Sequence, residues 1–246
     1  MATPQPLPPE SRTVGQLVAE TLRFYQEHFW RVLPLGLALA AVNQVTVGRD
    51  LLLQTLVLLA AAPLMTAAYL WASALVTRGR PTLPAFGAGV LIWLPVAPLI
   101  YLYSIPAILW LAFIGLAVPA AVAEGLSVRE SLKRGRRLGT ADYVHALGSL
   151  ATLVLLFGLT RVMLGFLLRD FGDQAIRGAV FIADLVVSPI LYVGSALLYD
   201  DQAARLVDSG APKRRRDADL RDAVDADRPG RPDAEVESRA AARGEP

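Results

Sequence analysis

The chain has 246 residues, 54% of them hydrophobic, with 24 Lys/Arg, 22 Asp/Glu, two histidines and no cysteine. The lack of cysteine excludes disulfides, thiol catalysis and thiolate metal sites, and His28 and His145 alone give no basis for an imidazole metal site. The net charge of +2 hides a segregation, because residues 1–199 hold 14 Lys/Arg against 10 Asp/Glu and residues 200–246 hold 10 against 12, with long apolar runs between charged loops, the profile of a multi-span membrane protein.

Residues 1–12 carry four prolines and no apolar period, which predicts a disordered leader. They lack a basic stretch leading into an apolar core, so the first membrane helix is expected to do the targeting. Thr13 is a good N-cap for a helix over 13–30. On its wheel Val14, Leu17, Val18, Leu22, Phe24, Tyr25 and Phe29 share one arc, opposite Gln16, Glu20, Arg23, Gln26 and Glu27. That pattern predicts a helix lying in the membrane interface.

Spans are expected at about 32–47 and 51–77. The uncharged run 86–123 would be roughly 55 Å long as one helix, against a hydrocarbon core of about 30 Å, so it must fold back. Ser104-Ile105-Pro106 is the expected turn, with Tyr101 and Tyr103 at a headgroup boundary, giving spans at 87–103 and 106–124. Spans at 144–168 and 178–199 complete an all-α, six-span transmembrane bundle with amphipathic interfacial helices. Residues 200–246, charged and poor in large apolar side chains, are expected to be a disordered cytoplasmic tail apart from a short extension of the last helix.

With six spans and both termini cytoplasmic, the inner side receives Arg12, Arg23, Arg31, Arg78, Arg80 and the 129–137 cluster, whereas the outer side receives Arg49, Arg169 and Arg177. This agrees with a multi-pass protein of the cell membrane. Hydroxyl caps before apolar residues at Thr13-Val14, Thr82-Leu83 and Ser127-Val128, each ahead of two spans, hint at three repeats of one unit.

Ser127-Val128-Arg129-Glu130 is a capping box, and a helix over 127–139 follows it. Val128, Leu132, Gly135 and Leu138 share one face, while Arg129, Lys133, Arg134, Arg136 and Arg137 cover the other. These basic residues are candidates for lipid headgroup contact, at about 1 kcal/mol each near an anionic surface, or they only enforce topology. Glu124, the carboxylate ending the fourth span, either pairs with the arginines that follow or sits among headgroups. Pro119 in the same span is an expected kink.

Arg161 and Asp184 are the two charges most clearly within spans, seven residues before Leu168 and six after Gly178. Their depths match, and an isolated charge there costs at least ~2.5 kcal/mol, so an interhelical ion pair is expected, serving either to fix helix register or as part of a proton or ion path. Asn43, Gln44 and Thr46 read as interfacial or helix-contact residues. Lys213 to Arg216 is either a second membrane-surface contact or part of a solvated tail, and the acidic stretch from Asp217 to Asp227 argues against a nucleic-acid partner. No phosphate loop, paired catalytic carboxylates, histidine metal spacing or nucleophile constellation is present, so no catalytic residue, metal or cofactor is expected.

Several stretches carry a family resemblance: Thr13-Val14-Gly15-Gln16-Leu17 with Leu22-Arg23-Phe24-Tyr25-Gln26-Glu27-His28-Phe29, then Val118-Pro119 to Glu124-Gly125 with a basic stretch closing on Arg137-Leu138, and Leu198-Tyr199-Asp200-Asp201. Together these resemble bacterial membrane proteins related to the membrane domain of glycerophosphoryl diester phosphodiesterases. The resemblance implies a six-helix bundle with interfacial helices, and it carries over no catalytic activity, since the reaction of the fused enzymes belongs to a separate soluble barrel. Gly135-Arg136 departs from the family's serine and aromatic at that place. The expected function is a non-enzymatic, lipid-associated scaffold or accessory protein whose partners are membrane lipids, anionic ones included. The alternative is a small transporter or channel subunit using Arg161 and Asp184.

Overall fold

The computed structural model describes the backbone of residues 9–100 and 104–226, and side chains as far as Val207 with Glu10 excepted. Among these residues every regular element is helical: α1 (Val14–Glu27), α2 (Phe29–Val32), α3 (Gly36–Thr46), α4 (Leu51–Thr77), α5 (Leu83–Ile100), α6 (Ile105–Ile114), α7 (Ala117–Glu124), α8 (Val128–Gly139), α9 (Tyr143–Leu167) and α10 (Asp173–Ala226), with short 3-10 turns at Pro9–Ser11, Leu33–Leu35 and Arg169–Phe171. Among the described residues five helices are long and apolar enough to cross a membrane: α4, α5, α6 with α7 taken together, α9, and α10 from Asp173 to Val207.

The span expected at 32–47 is not one of the five. Pro34 supplies no backbone donor, and the chain there makes a single 3-10 turn, so the continuous part, α3, is only 11 residues long. The helix expected over 13–30 likewise ends at His28, where φ is −119°, and resumes as the one-turn α2. The third expected span, α5, begins at Leu83 rather than 87, because the Thr82 hydroxyl accepts from the Ala85 N–H at 3.3 Å. Its expected end at Tyr101–Tyr103 lies outside the described residues. The chain does turn at Ser104, whose φ is +61°.

The fourth span is broken at Gly115–Leu116 between α6 and α7. Pro119 accounts for the position, because its ring would collide with the carbonyl four residues back, at Gly115. The last helix runs from Asp173 to Ala226, past the expected boundary at Tyr199. Beyond Tyr199 the sequence is rich in Ala and Arg, both good helix formers, and Asp201/Arg205, Asp217/Arg221 and Arg221/Asp225 have the four-residue spacing that supports a helix. The helix thus covers 200–226 of the expected tail, and residues 227–246, like leader residues 1–8, lie outside the described residues.

The core centres on α7, which is buried from Ala117 to Val122 and packs against α4, α5 and α8. The basic helix α8 approaches it closely: a Cβ on Gly135 would stand 2.5 Å from the Ala117 backbone nitrogen, and one on Gly139 would strike the carbonyl of Phe113. Ser131 and Leu138 are fully buried on the same face. The N-terminal segment runs antiparallel to α10, meeting it in turn at Asp201 (from Arg12), Gly194 (from Thr21), the Val186 carbonyl (from the Tyr25 hydroxyl, 2.7 Å), the Leu185 backbone (from Gly36), Asp184 (from Asn43) and the Arg177 carbonyl (from Gln44, 2.8 Å). These contacts follow α10 over about 36 Å of rise. Leu17, Thr21 and Tyr25 are at most 8% exposed, so protein takes up much of the apolar stripe of α1 that was expected to face lipid.

Candidate functional site

Charged and polar groups gather at two levels of the bundle. At one level Asp184 of α10 is fully buried, although α10 is apolar around it. Asn43 of α3 donates from Nδ2 to Asp184 Oδ2 at 2.7 Å. Arg161 of α9 brings Nε to 3.1 Å from Oδ1, an ion pair by distance that lacks the alignment of a hydrogen bond. The Arg161 guanidinium also lies 5.6 Å from the centre of the Phe157 ring, a cation–π contact one turn earlier on α9. One turn along α10 from Asp184, the buried Ser188 hydroxyl has no hydrogen-bond partner among the described residues. Thus the two charges placed at matching depth by the sequence do meet, and Asn43, read there as a helix-contact residue, completes the group. Thr46 turns its hydroxyl back to the Val42 and Asn43 carbonyls.

The second level lies where α1 begins, α9 begins and α10 passes residue 200. Asp201 is fully buried and accepts from Arg12 Nη1 at 2.6 Å, while Arg12 Nη2 lies 3.0 Å from Glu20. His145 Nε2 stands 3.5 Å from Asp201 Oδ2 without a hydrogen bond between them. Arg205 donates to Asp142 at 2.7 Å and to the Arg12 carbonyl at 2.6 Å, and Gln202 and the Asp142 backbone exchange two bonds of 3.1 Å. Asp142 also caps α9 by accepting from the His145 N–H at 3.0 Å.

This second group was not found from the sequence, where Arg12 fell in the leader and Asp201, Gln202 and Arg205 fell in the tail. Two signals for it were present. Arg12 directly precedes the Thr13 cap, and Asp201/Arg205 have helical spacing just beyond an apolar run.

Glu124, at the end of α7, accepts from Arg134 Nε and from the Tyr199 hydroxyl, both at 2.9 Å, and so ties α7 to α8 and α10. The left-handed Gly125, φ +67°, ends α7 there and lets α8 fold back. Of the five basic residues expected to contact headgroups, Arg134 is thereby engaged, and Arg136 lies 5.6 Å from the centre of the Phe113 ring. Arg129, Lys133 and Arg137 are exposed. The Lys213–Arg216 run lies beyond the described side chains.

The molecule is therefore a multi-helix apolar bundle with a buried salt-bridge network of Arg, Asp and Glu. It has no cysteine, and among the described residues no cluster of His, Asp and Glu could hold a metal ion. Chemically, the Asp184 group offers a carboxylate in a low-dielectric interior, with one oxygen held by Asn43 and the other facing a guanidinium outside hydrogen-bond alignment. Such a carboxylate can exchange a proton or a small cation if its arginine moves. No protein-family model, curated protein or solved structure matches the chain.

Proposed function

We propose that the chain is a small transporter or channel subunit, without enzymatic activity of its own, in which Asp184, Arg161 and Asn43 form the ion- or proton-handling element. The observation that carries this reading is the full burial of Asp184 with an incompletely satisfied carboxylate. A pair needed only for register has cheaper substitutes, and this bundle uses them: Gly36 meets the Leu185 backbone directly, and Gly89 meets Thr66. A charged group in the interior of an apolar span costs ~2.5–3.5 kcal/mol, and its retention there favours a working role. The unpartnered hydroxyls of Ser188 on α10 and Ser149 on α9 add polar steps on the same two helices.

In this reading α1, α2 and α3 together supply a sixth, broken crossing, with both termini on the cytoplasmic side of the cell membrane. The charge distribution supports that orientation, and the resemblance to the membrane domain of glycerophosphoryl diester phosphodiesterases belongs to the same reading. A second function, a lipid-associated scaffold, is favoured by the exposed Arg129, Lys133 and Arg137 on a helix whose other face is occupied by protein.

Flux through vesicles separates the two. Purified chain in liposomes carrying an internal pH-sensitive dye is challenged with a potassium diffusion potential, with and without a sodium gradient. Proton flux, either driven by the potential or coupled to the sodium gradient, is expected above that of empty liposomes, and Asp184→Asn is expected to abolish it while helix content and membrane level persist. No flux from the unmodified chain, or flux unchanged in Asp184→Asn, leaves the scaffold as the better reading.

A further inference from the structure

We propose that the cleft between the C-terminal part of α4 and the start of α5 is a binding site for an anionic phospholipid, with an acyl chain in the cleft and the phosphate on Arg78 and Arg80. The cleft has a volume of about 320 Å³ and is walled by Ala67, Leu70, Trp71, Ala74, Leu75 and Phe86, with Pro81 at one end. This wall is almost wholly apolar, so a free phosphate or a soluble polar solute would find nothing to hold it along the cleft.

The stripe continues past the cleft. Leu64, seven residues before Trp71 and thus on the same side of α4, is 48% exposed. An occupant with a long apolar tail therefore has a lane running from the cleft along α4.

The end of the cleft at Pro81 is charged in the opposite sense. Arg78 and Arg80 lie in the connection between Leu75 and Pro81, both are exposed, and neither has a partner among the described residues. Arg78 holds φ +55°, a left-handed turn that ends α4 one residue after Thr77. Trp71 lies about 9 Å of helix before that end, at the depth where tryptophan marks the boundary of hydrocarbon and headgroup. A phosphodiester joined to an acyl chain fits both halves at once: cation at the boundary, apolar lane beneath it. The cleft shares no residue with Asp184, Arg161 and Asn43, so it stands whether or not the bundle conducts.

Trp71 is a built-in reporter. The full chain is placed in bilayers containing equal mole fractions of brominated phosphatidylglycerol or brominated phosphatidylcholine, and the Trp71 signal is taken as the difference between the unmodified chain and Trp71→Phe. Trp71 is expected to be quenched with an exchange constant on the order of five- to thirty-fold higher for phosphatidylglycerol, corresponding to one or both arginines engaging a phosphate. The double variant Arg78→Asn/Arg80→Gln, with asparagine chosen because it tolerates the left-handed turn, should lose the preference and retain quenching by phosphatidylcholine. Equal quenching by the two lipids in the unmodified chain overturns the site, and that comparison decides even if the double variant fails to insert. Relief of the phosphatidylglycerol quenching by soluble glycerol phosphate, or a preference that survives in a folded double variant, overturns it as well.

Discussion

Asp201 and Glu20 share one arginine and differ in surroundings, which separates a buried ion pair from a surface one within a single cluster. Asp201 has no exposed surface, whereas the Glu20 side chain keeps about a third of its own. Replacing Asp201 by Asn removes the buried charge opposite Arg12, whose side chain is only 9% exposed, and leaves that guanidinium with Glu20 and the more distant Asp200. A loss of about 3 kcal/mol is expected, the lower end of the ~3–5 kcal/mol range for breaking one half of a buried pair, since Glu20 remains. Glu20→Gln is expected to cost less than ~1 kcal/mol, as for an ordinary exposed pair. Denaturant unfolding in micelles measures both, and equal losses would show that the two carboxylates are not distinguished by burial. The same contrast explains why Arg12 escaped notice in the sequence. Its partner lies 189 residues away, and no local period links them.

At the level of elements, α8 shows how a helix with five basic residues is held. Its start is fixed by Glu130, whose carboxylate accepts from the Ser127 hydroxyl at 2.6 Å and from the Ser127 N–H at 3.1 Å. These two bonds, with a smaller contribution from Lys133, hold the Glu130 carboxyl below its ordinary value of 4.5. A depressed pKa stabilises the folded helix fully above the ordinary glutamate value, and that stabilisation disappears as pH falls through the lowered one. Protection of the amides at 128–131 against hydrogen exchange, corrected for intrinsic rates, should therefore drop on acidification through this range. Glu130→Gln should be insensitive to pH over the same interval, and an equal drop in that variant would assign the effect to another group. The start, the apolar face and the basic face of α8 were all legible because they follow from local spacing. What covers the apolar face was not, since the approach of Gly135 to Ala117 depends on α7 being broken from α6 and turned at Gly125.

For the whole molecule, the sequence was most informative where one run of apolar residues makes one helix. Leu51–Thr77 was read to its ends, and a fold-back within 86–123 was required by length, with Pro106 giving its place. Arg161 and Asp184 were paired correctly because the short connection after Leu168 makes α9 and α10 antiparallel neighbours, so equal distances from the turn mean equal depth. The N-terminal segment resisted this logic. Pro34 is compatible both with the first turn of a helix and with a break, and a polar-faced helix that packs on α9 and α10 has the same wheel as one lying on lipid. The count of crossings depends on that segment. If it traverses the bundle beside α10, as its successive contacts from Asp201 to Arg177 suggest, Gly15 and Arg49 emerge on opposite sides; if it stays in one leaflet, they share a side. The absence of native cysteine makes the distinction measurable with single cysteines, and Gly15→Cys is tolerable because a Cβ there meets nothing within 4 Å. Gly15→Cys, Arg80→Cys and Thr140→Cys are expected to react with a membrane-impermeant maleimide only in inside-out vesicles, and Arg49→Cys and Asp170→Cys only in intact cells. Labelling of Gly15→Cys from the same side as Arg49→Cys would reduce the crossings to five, and would be incompatible with the Arg12–Asp201 ion pair at the other end of the α10 crossing.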